Sequence, residues 1–350
     1  MDRTPPPPGS AHAAQQAAQM AHLFGGRQPT PDMAAVLHTM QAADPKPIET
    51  LDAKEARRQP TPADAVKKLL AERGERGDPE DVYDVDNRTI DGPGGAIPIR
   101  IYKPASASER QPLPVVLYVH GGGWVIADLD VYDASPRALA NAAHAIVVST
   151  HYRQAPEHTF PAAHEDVYAA YRWVLANAGD FGGDPARVAV AGESAGGNLA
   201  CVVCLNARDE GVQLPLHQVL VYPIAGFDTT TESYQEMTEA KPLNSAMMRW
   251  FFDQYLADAA QGRTPAIDLV NADLAGLPPA TIINAELDPL RTEGEQLATR
   301  FRQAGVPVEQ HTFPGVTHEF FGMGAVVGAA REAQQMAAAA LRRAFGTATR

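Results

Sequence analysis

One serine stands between small residues at the point where an apolar run gives way to a helix-like run. The run Val188–Ala191 (VAVA) stops at Gly192, where the sequence GESAGG begins with Ser194 as its third residue. Small residues on both sides allow a tight strand-to-helix turn that lifts the hydroxyl clear of the backbone. The following helix would direct its first amides at the same point, where they favour negative charge. The pattern predicts a nucleophilic serine; a glycine-rich turn without chemistry is the alternative.

A second glycine-rich stretch could supply the hydrogen-bond donors that such a serine needs. The apolar run 115–119 (VVLYV) is followed by HGGGW at 120–124. Three successive glycines after a strand let backbone N–H groups converge without side-chain obstruction, which suits the oxyanion of an acyl-transfer intermediate. We predict that the amides of Gly122, Gly123 and Ala195 form this oxyanion hole. A flexible glycine loop is the alternative.

These two stretches resemble the hormone-sensitive-lipase family (bacterial family IV) of carboxylesterases, which have the α/β-hydrolase fold. A third stretch, HYRQAPEHTFPAAHEDVYAAYRWV at 151–174, is similar to the same family, and the resemblance spans roughly residues 60–345. It implies a mostly parallel central sheet with helices on both faces and a helical cap. We expect His120, with Gly121, to support the glycine loop rather than to act as the catalytic base.

The remaining catalytic groups are expected downstream of the serine, because α/β-hydrolases carry their triad in the order Ser, Asp, His. Asp288 follows the apolar run 280–284, and His318 follows the run 307–313. We predict that His318 takes the proton of Ser194 and that Asp288 orients the imidazole ring. The sequence Asp-Pro-Leu favours Asp288 over two other nearby acids, Glu286 and Glu293.

Two positions depart from the commonest pattern of the family. Glu193 stands where the family often has Asp, and Thr292 stands where its DPLRDE segment has Asp. We expect the longer carboxylate of Glu193 to change the hydrogen bonds behind Ser194. The change at Thr292 is expected to cost a local salt bridge or helix cap and to leave the chemistry intact.

The elements that must position these residues alternate along the chain from Asp81 onward. Short apolar runs predict strands at 96–102, 115–119, 145–149, 188–191, 218–222, 280–284 and 307–313. Helical patterns lie between most of them, near 134–144, 161–178, 195–208, 292–304 and 328–345. Strands that alternate with helices indicate a parallel sheet covered on both faces, in which active sites collect at the carboxyl ends of the strands.

Two segments outside this alternation are predicted to form the cap. They are the helices at 31–80 and an insertion at 227–262 that contains SAMMRWFFDQYLAD. At least half of the aromatic and Met side chains in this insertion are expected in the core, and the remainder on the pocket. The catalytic core is predicted at 81–226 and 263–350, after a flexible Pro/Ala-rich segment at 1–30. Three residues next to the glycine loop or His318 are predicted to border the substrate pocket: Trp124, Phe320 and Phe321.

Composition narrows the classes of partner. The 350 residues include 29 basic and 42 acidic ones, a net charge of −13, so a nucleic-acid partner is not expected. The chain has no apolar run of membrane-spanning length and no secretory signal pattern, which favours the cytoplasm. Cys201 and Cys204 are interpreted as core positions rather than redox groups or metal ligands, and neither a metal nor a cofactor is expected. The family resemblance allows a homodimer.

These features predict a serine carboxylesterase that hydrolyses short- to medium-chain acyl esters through an acyl-enzyme. The chain-length preference is implied by the partly covered apolar site of the family. The same residues could cleave an amide, a lactone or an acetylated natural product, because the leaving group contacts only the pocket. A non-catalytic small-molecule binding protein of the same fold is the other alternative, and the complete set of Ser194, Asp288 and His318 argues against it.

Overall fold

Within the described chain, which comprises residues 20–77, 79–107 and 111–347 of the computed structural model, eight strands form one sheet. The strands are β1 (Asp84–Gly92), β2 (Gly95–Lys103), β3 (Leu113–Val119), β4 (Ile146–Thr150), β5 (Gly183–Glu193), β6 (Gln218–Val221), β7 (Ala280–Leu287) and β8 (Val308–Thr317). Their order across the sheet is β1-β2-β4-β3-β5-β6-β7-β8. β2 is antiparallel to both β1 and β4, and every other neighbouring pair is parallel.

Helices make the crossovers that parallel strands require. The α-helices are α1 (Pro31–Gln41), α2 (Ala53–Ala56), α3 (Pro62–Glu72), α4 (Ala134–Ala143), α5 (Ala162–Asn177), α6 (Ala195–Glu210), α7 (Glu232–Glu236), α8 (Ser245–Tyr255), α9 (Arg291–Gln303) and α10 (Gly328–Ala344). Short 3₁₀ turns occur at Ile48–Thr50, Ala178–Phe181, Gln261–Arg263, Leu269–Asn271 and Phe320–Met323.

The sheet has a hydrophobic core on each face. Along β3, Val115, Leu117 and Val119 belong to one buried cluster, whereas Val116 and Tyr118 belong to the other. Successive side chains of a strand point to opposite faces, so both faces of β3 are covered. This double burial explains why the strand reads as a continuous apolar run rather than as an alternating pattern.

The seven predicted strands and five predicted core helices are all present, with ends that differ by a few residues or extend further. β1 was not predicted, because its sequence DVDNRTIDG is mostly polar and only Ile90 in it is buried. It is an edge strand that pairs only with β2, so one of its edges has no partner strand in the sheet. The mostly parallel α/β architecture with helices on both faces is confirmed.

The elements outside the strand–helix alternation contact one another near the loop that follows β3. Trp250 in α8 donates a hydrogen bond from Nε1 to the carbonyl of Leu51, at 3.2 Å. Arg57, just after α2, donates to the carbonyls of Val125 (2.8 Å) and Ala155 (2.7 Å). The division into a core and a cap at 31–80 and 227–262 stays a prediction. Residues 1–19 of the predicted flexible segment lie outside the described residues.

Cys201 and Cys204 are both fully buried in α6, as the sequence predicted. Burial raises the pKa of the Cys201 thiol to about 12, so this group stays protonated at neutral pH. Across the described residues, no helix combines the length and apolarity that crossing a membrane requires. The expected cytoplasmic location and the homodimer stay predictions.

Candidate active site

Ser194 occupies a strained turn between β5 and α6. Its backbone has φ 57° and ψ −121°, a conformation that costs energy for any residue with a Cβ. The turn is held by the amide of Ser194, which donates to the carbonyl of Val221 at 2.9 Å. Small neighbours are obligatory, because a Cβ at Gly196 would lie 2.0 Å from the carbonyl oxygen of Val119. The structure therefore has the sharp strand–turn–helix geometry that the sequence predicted around this serine.

The glycine loop after β3 brings two backbone amides to the same cavity as Ser194. Gly122 has φ 97°, and a Cβ there would lie 2.1 Å from the carbonyl oxygen of Ile126, so only glycine fits. Among the hydrogen bonds of the described residues outside helices and strands, none is donated by the amides of Gly122 or Gly123. Ala195 is the first residue of α6, so its amide has no intrahelical acceptor. All three amides are thus available as donors.

His120 lies behind this loop and contacts its backbone. Its Nδ1 donates to the carbonyl of Gly121 at 2.8 Å, and its Nε2 lies 3.0 Å from Nδ1 of His151. The hydroxyl of Tyr152 donates to the same Gly121 carbonyl at 2.9 Å. Burial, together with the neighbouring His151, lowers the pKa of His120 to about 3, so its ring is neutral. Both ring nitrogens are occupied, which is the geometry expected of a residue that supports the loop.

Asp288 and His318 form a buried pair. Nδ1 of His318 lies 2.7 Å from Oδ2 of Asp288, and Oδ1 of Asp288 accepts from the amide of Leu290 at 2.9 Å. Because Nδ1 carries the proton of its hydrogen bond to Asp288, Nε2 of the neutral ring has no proton and can accept one. Burial opposes a charge on His318, but the carboxylates of Asp288, Glu319 and Glu193 outweigh it and raise the pKa of His318 above its ordinary value.

The two alternative acids make contacts elsewhere. Glu286 accepts a hydrogen bond from the amide of Gly315 at 2.8 Å, and Glu293 accepts one from the amide of Ala225 at 2.7 Å. Asp288 is the acid that the structure brings to Nδ1 of His318.

Glu193, the first departure from the family pattern, is buried between two tyrosines. Its Oε1 accepts a hydrogen bond from Tyr118 at 2.5 Å, and its Oε2 accepts one from Tyr222. Burial, with a further contribution from the charge of Glu319, raises the pKa of Glu193 to about 7. The longer carboxylate therefore reaches two phenols behind the serine turn, one on β3 and one directly after β6.

Thr292, the second departure from the family pattern, forms two hydrogen bonds with Ser233 in α7. Its amide donates to the Ser233 hydroxyl oxygen at 3.1 Å, and its own hydroxyl oxygen accepts from the Ser233 amide at 3.2 Å. The pair ties the start of α9 to α7, so the position still makes a local contact in the absence of a carboxylate.

Ser194 and His318 lie on the wall of one cavity of about 360 Å³. Gly122, Gly123 and Glu319 line the same cavity. Its other walls consist largely of apolar side chains from two distant parts of the chain, namely Met40, Pro45, Pro47, Ile48, Ala56, Pro60 and Pro62 in the N-terminal part and Pro242, Leu243, Met247, Met248 and Phe251 in and before α8. The cavity is thus assembled from both of the segments that the sequence predicted to form a cap.

The three aromatic residues predicted to border the pocket do not line this cavity. Trp124 is fully buried and stacks on Tyr255 at 4.7 Å between ring centroids. Phe320 is fully buried against Tyr222, at 5.9 Å between centroids, and Phe321 is buried in the same core cluster. Nearness in sequence to the glycine loop and to His318 was the only basis for this prediction, and the backbone turns these side chains into the core instead.

Some cavity residues had no sequence signal. The stretch between Met40 and Pro62 contains no recognisable motif, and no sequence pattern assigns a role to Glu319. The one sequence clue to Glu319 is that this carboxylate directly follows the predicted base, His318. Among the described residues, no three or more His, Cys, Asp or Glu side chains cluster closely enough to hold a metal ion.

Comparisons with known proteins agree with this geometry. The model of a family described by its alpha/beta hydrolase fold matches residues 116–322. The chain belongs to this family. It is 43% identical over 266 residues to carboxylesterase NlhH of Mycobacterium tuberculosis, which covers 75% of this chain and 83% of that protein. It is 34% identical to an ethyl acetate hydrolase of Pseudomonas putida, over 89% of this chain and 98% of that one.

Solved structures extend the likeness to the whole fold. A hyperthermophilic esterase of Pyrobaculum calidifontis superposes with a TM-score of 0.81 at 37% identity, and the match covers 92% of this chain and 100% of that one. The resemblance to esterases of the hormone-sensitive-lipase group is confirmed, as is the α/β-hydrolase fold. The chain is a carboxylic ester hydrolase.

Proposed function

We propose that the chain hydrolyses esters through an acyl-enzyme formed on Ser194, with His318 as general base and acid and Asp288 as its orienting partner. The observation that carries the proposal is the position of His318. One ring nitrogen is held 2.7 Å from the buried Asp288 carboxylate, and the residue lies on the same cavity wall as Ser194. A serine hydroxyl becomes an effective nucleophile only when such a base takes its proton.

In the acylation step, Nε2 of His318 takes the proton of the Ser194 hydroxyl while the oxygen attacks the ester carbonyl. The amides of Gly122, Gly123 and Ala195 stabilise the oxyanion, and each such donor is worth about 2.7–4 kcal/mol of the barrier. The tetrahedral intermediate then collapses, and the imidazolium gives its proton to the leaving alcohol. Asp288 stays ionised and stabilises the charged ring during both transfers.

In the deacylation step, water replaces the alcohol. Nε2 of His318 takes a proton from the water, whose oxygen attacks the acyl carbonyl, and the same amides hold the second oxyanion. Collapse of this intermediate returns the proton to the oxygen of Ser194 and releases the carboxylic acid. No group beyond the chain's own residues is needed, so we expect a chelator to leave the rate unchanged.

The preferred substrates are proposed to be short- to medium-chain acyl esters. A cavity of about 360 Å³ with mainly apolar side chains on its walls suits an acyl group of limited length. The ester hydrolases to which this chain is similar, including one named for ethyl acetate, support the same class.

The test is hydrolysis of a chromogenic ester series from acetate to dodecanoate by the wild type, Ser194→Ala and Ser106→Ala. Ser194→Ala is expected to lower kcat by on the order of 10⁶. Ser106 is exposed and outside the cavity, so its variant serves as the matched control and should keep the wild-type rate. Activity that survives Ser194→Ala would refute the assignment of the nucleophile.

A further inference from the structure

Glu319, directly after His318, holds a backbone conformation that glycine would adopt without strain. Its φ is 70° and its ψ is 0°, in the left-handed region, where a Cβ is unfavourable. Its carboxylate is not needed to fill the core, because the side chain is 21% exposed and lies on the wall of the active-site cavity. A strained residue at a functional site points to a role for its side chain.

The contacts of Glu319 place its carboxylate near the reactive nitrogen of His318. Oε1 of Glu319 lies 3.9 Å from Nε2 of His318 and accepts a hydrogen bond from the hydroxyl of Tyr132 at 2.5 Å. Asp288 lies on the other side of the ring, at Nδ1. The imidazole therefore stands between two carboxylates, one at each nitrogen.

Tyr132 holds the Glu319 carboxylate in this place. The tyrosine side chain is buried, and its hydroxyl packs on Gly121, where an added Cβ would lie 2.3 Å from the phenolic oxygen. The hydrogen bond from Tyr132 thus fixes the Glu319 carboxylate near the glycine loop, on the Nε2 side of the His318 ring.

We propose that Glu319 is a positioning residue of the active site, whose carboxylate stabilises the protonated form of His318 from the Nε2 side, opposite Asp288. The proposal rests on the function proposed above, since it assigns His318 the role of base. During acylation the ring goes from neutral to positively charged as it takes the serine proton. A fixed negative charge beside Nε2 favours that charged state over the resting one, so it lowers the barrier rather than only tightening binding.

Several charged or titratable groups face His318 and must be considered together. Asp288 follows β7, Glu193 ends β5, Tyr222 follows β6 with its ring centroid 4.5 Å from the imidazole, and Glu319 is the next residue in the chain. Burial opposes the charge of His318; Asp288, Glu319 and Glu193, in decreasing order, raise its pKa. Burial also raises the pKa of Glu319, whereas the neighbouring His318 and the hydrogen bond from Tyr132 lower it. Because these titrations are linked, variants are compared with the wild type rather than with reference values.

The experiment measures the pH dependence of kcat/KM for a short-chain chromogenic ester in the wild type, Glu319→Gln and Glu319→Gly. Loss of the carboxylate should move the midpoint of the acidic limb to lower pH, because the protonated ring loses a stabilising charge. It should also lower kcat by on the order of tenfold, less than the roughly 10²–10³ of a direct oxyanion donor, since Glu319 acts through His318. KM should change little.

Two variants separate this role from a structural one. Glu319→Gln keeps the size and the backbone strain of the native residue, whereas Glu319→Gly relieves that strain. If one variant does not fold, the other can still be measured. The matched control is Glu332→Gln on α10, an exposed residue away from the cavity, which makes the same charge change and should leave the midpoint unmoved. Thermal melting establishes that each variant is folded.

The outcomes are distinct. A midpoint shifted to lower pH in every folded Glu319 variant, and unmoved in Glu332→Gln, supports the proposal. A folded, active Glu319 variant whose midpoint coincides with that of the wild type overturns it, even if its rate is lower. Wild type without ester hydrolysis, or Ser194→Ala with it, would instead overturn the proposed function on which the inference rests.

Discussion

At the residue scale, the chemistry depends on how the surroundings of His318 set its proton affinity. The neighbouring carboxylates, Asp288 first, outweigh burial and raise the pKa of His318 above the ordinary value of 6.5. A general base works only in its neutral form, so activity should fall as the pH drops through a value above 6.5. We expect the acidic limb of the wild-type kcat/KM profile to have its midpoint there. A midpoint at or below that of a free histidine would contradict the electrostatic account of this ring.

A second residue-scale prediction concerns Glu193. Burial raises its pKa from 4.5 to about 7 in the folded protein, so between these values the unfolded chain releases a proton that the folded chain keeps. Stability should therefore decrease as the pH rises from about 4.5 to about 7 and stay level above that, a loss on the order of 3 kcal/mol from this group. Glu193→Gln has no such proton to lose.

The measurement is urea unfolding of the wild type and Glu193→Gln at several pH values between 5 and 8. The stability of the variant relative to the wild type should increase as the pH rises from 5 to about 7 and stay level above that. Groups that do not interact with Glu193 contribute equally to both proteins and cancel in the difference. Exposed Glu332 again offers a matched substitution, Glu332→Gln, for which the difference should be flat. A flat difference for Glu193→Gln as well would mean that its carboxylate is ionised in the folded protein over the whole range.

At the element scale, the Arg57 side chain connects the segment around α2 to the backbone that follows the glycine loop. Arg57 donates to the carbonyls of Val125 and Ala155, and it pairs with both oxygens of the Glu157 carboxylate at 2.7 Å. It also lines the cavity. Arg57→Ala should lower the free energy of unfolding by about 1–3 kcal/mol, because two carbonyls lose a charged donor. It should also raise KM, because the N-terminal wall of the cavity loosens.

Arg58 is the control for this prediction, since it is the next residue, carries the same charge and is exposed. Chemical unfolding and ester kinetics are measured on Arg57→Ala and Arg58→Ala together. Equal effects of the two substitutions would show that lost positive charge, not the lost contacts of Arg57, is responsible.

Residues and elements with a strong local sequence signal could be predicted. The polar edge strand and the orientation of Trp124 could not, because no local pattern encodes them. Ser194, Asp288 and His318 follow apolar strands and sit in distinctive motifs, so their meeting at one sheet edge follows from parallel topology. The polar edge strand Asp84–Gly92 has no apolar run to reveal it. The prediction that Trp124 borders the pocket was wrong because the direction of its side chain depends on the backbone of the glycine loop. That loop has positive φ values, and Trp124 itself has φ 62°. No composition or period encodes that direction.

At the scale of the whole molecule, the substrate cavity is a product of long-range packing. Its walls combine the segment between Met40 and Pro62, the glycine loop, the serine turn, α8 and the turn after β8. These parts lie up to about 280 residues apart in sequence. No local pattern predicts which side chains of these parts face inward. The sequence therefore allowed prediction of the reacting groups, whose types chemistry restricts, far better than of the pocket, whose shape only the assembled fold determines.

The last prediction uses two adjacent phenylalanines of α8 to separate the cavity from the core behind it. Phe251 lines the cavity and packs on Gly123, where an added Cβ would lie 2.2 Å from its ring. Phe252 is buried against Phe227 and Trp124, at centroid distances of 5.1 and 6.0 Å, and is not on the cavity wall. Both substitutions to alanine should destabilise the fold by about 3–5 kcal/mol.

Only Phe251→Ala should also change which substrates are accepted, because it enlarges the cavity beside the oxyanion donors. We expect its rate profile over the ester series from acetate to dodecanoate to move toward longer acyl chains. Phe252→Ala should keep the wild-type chain-length profile at a lower melting temperature, since its ring contacts other core residues and no substrate. Profiles that move together in the two variants would mean that general loosening of α8, rather than the wall at Phe251, sets the acyl length.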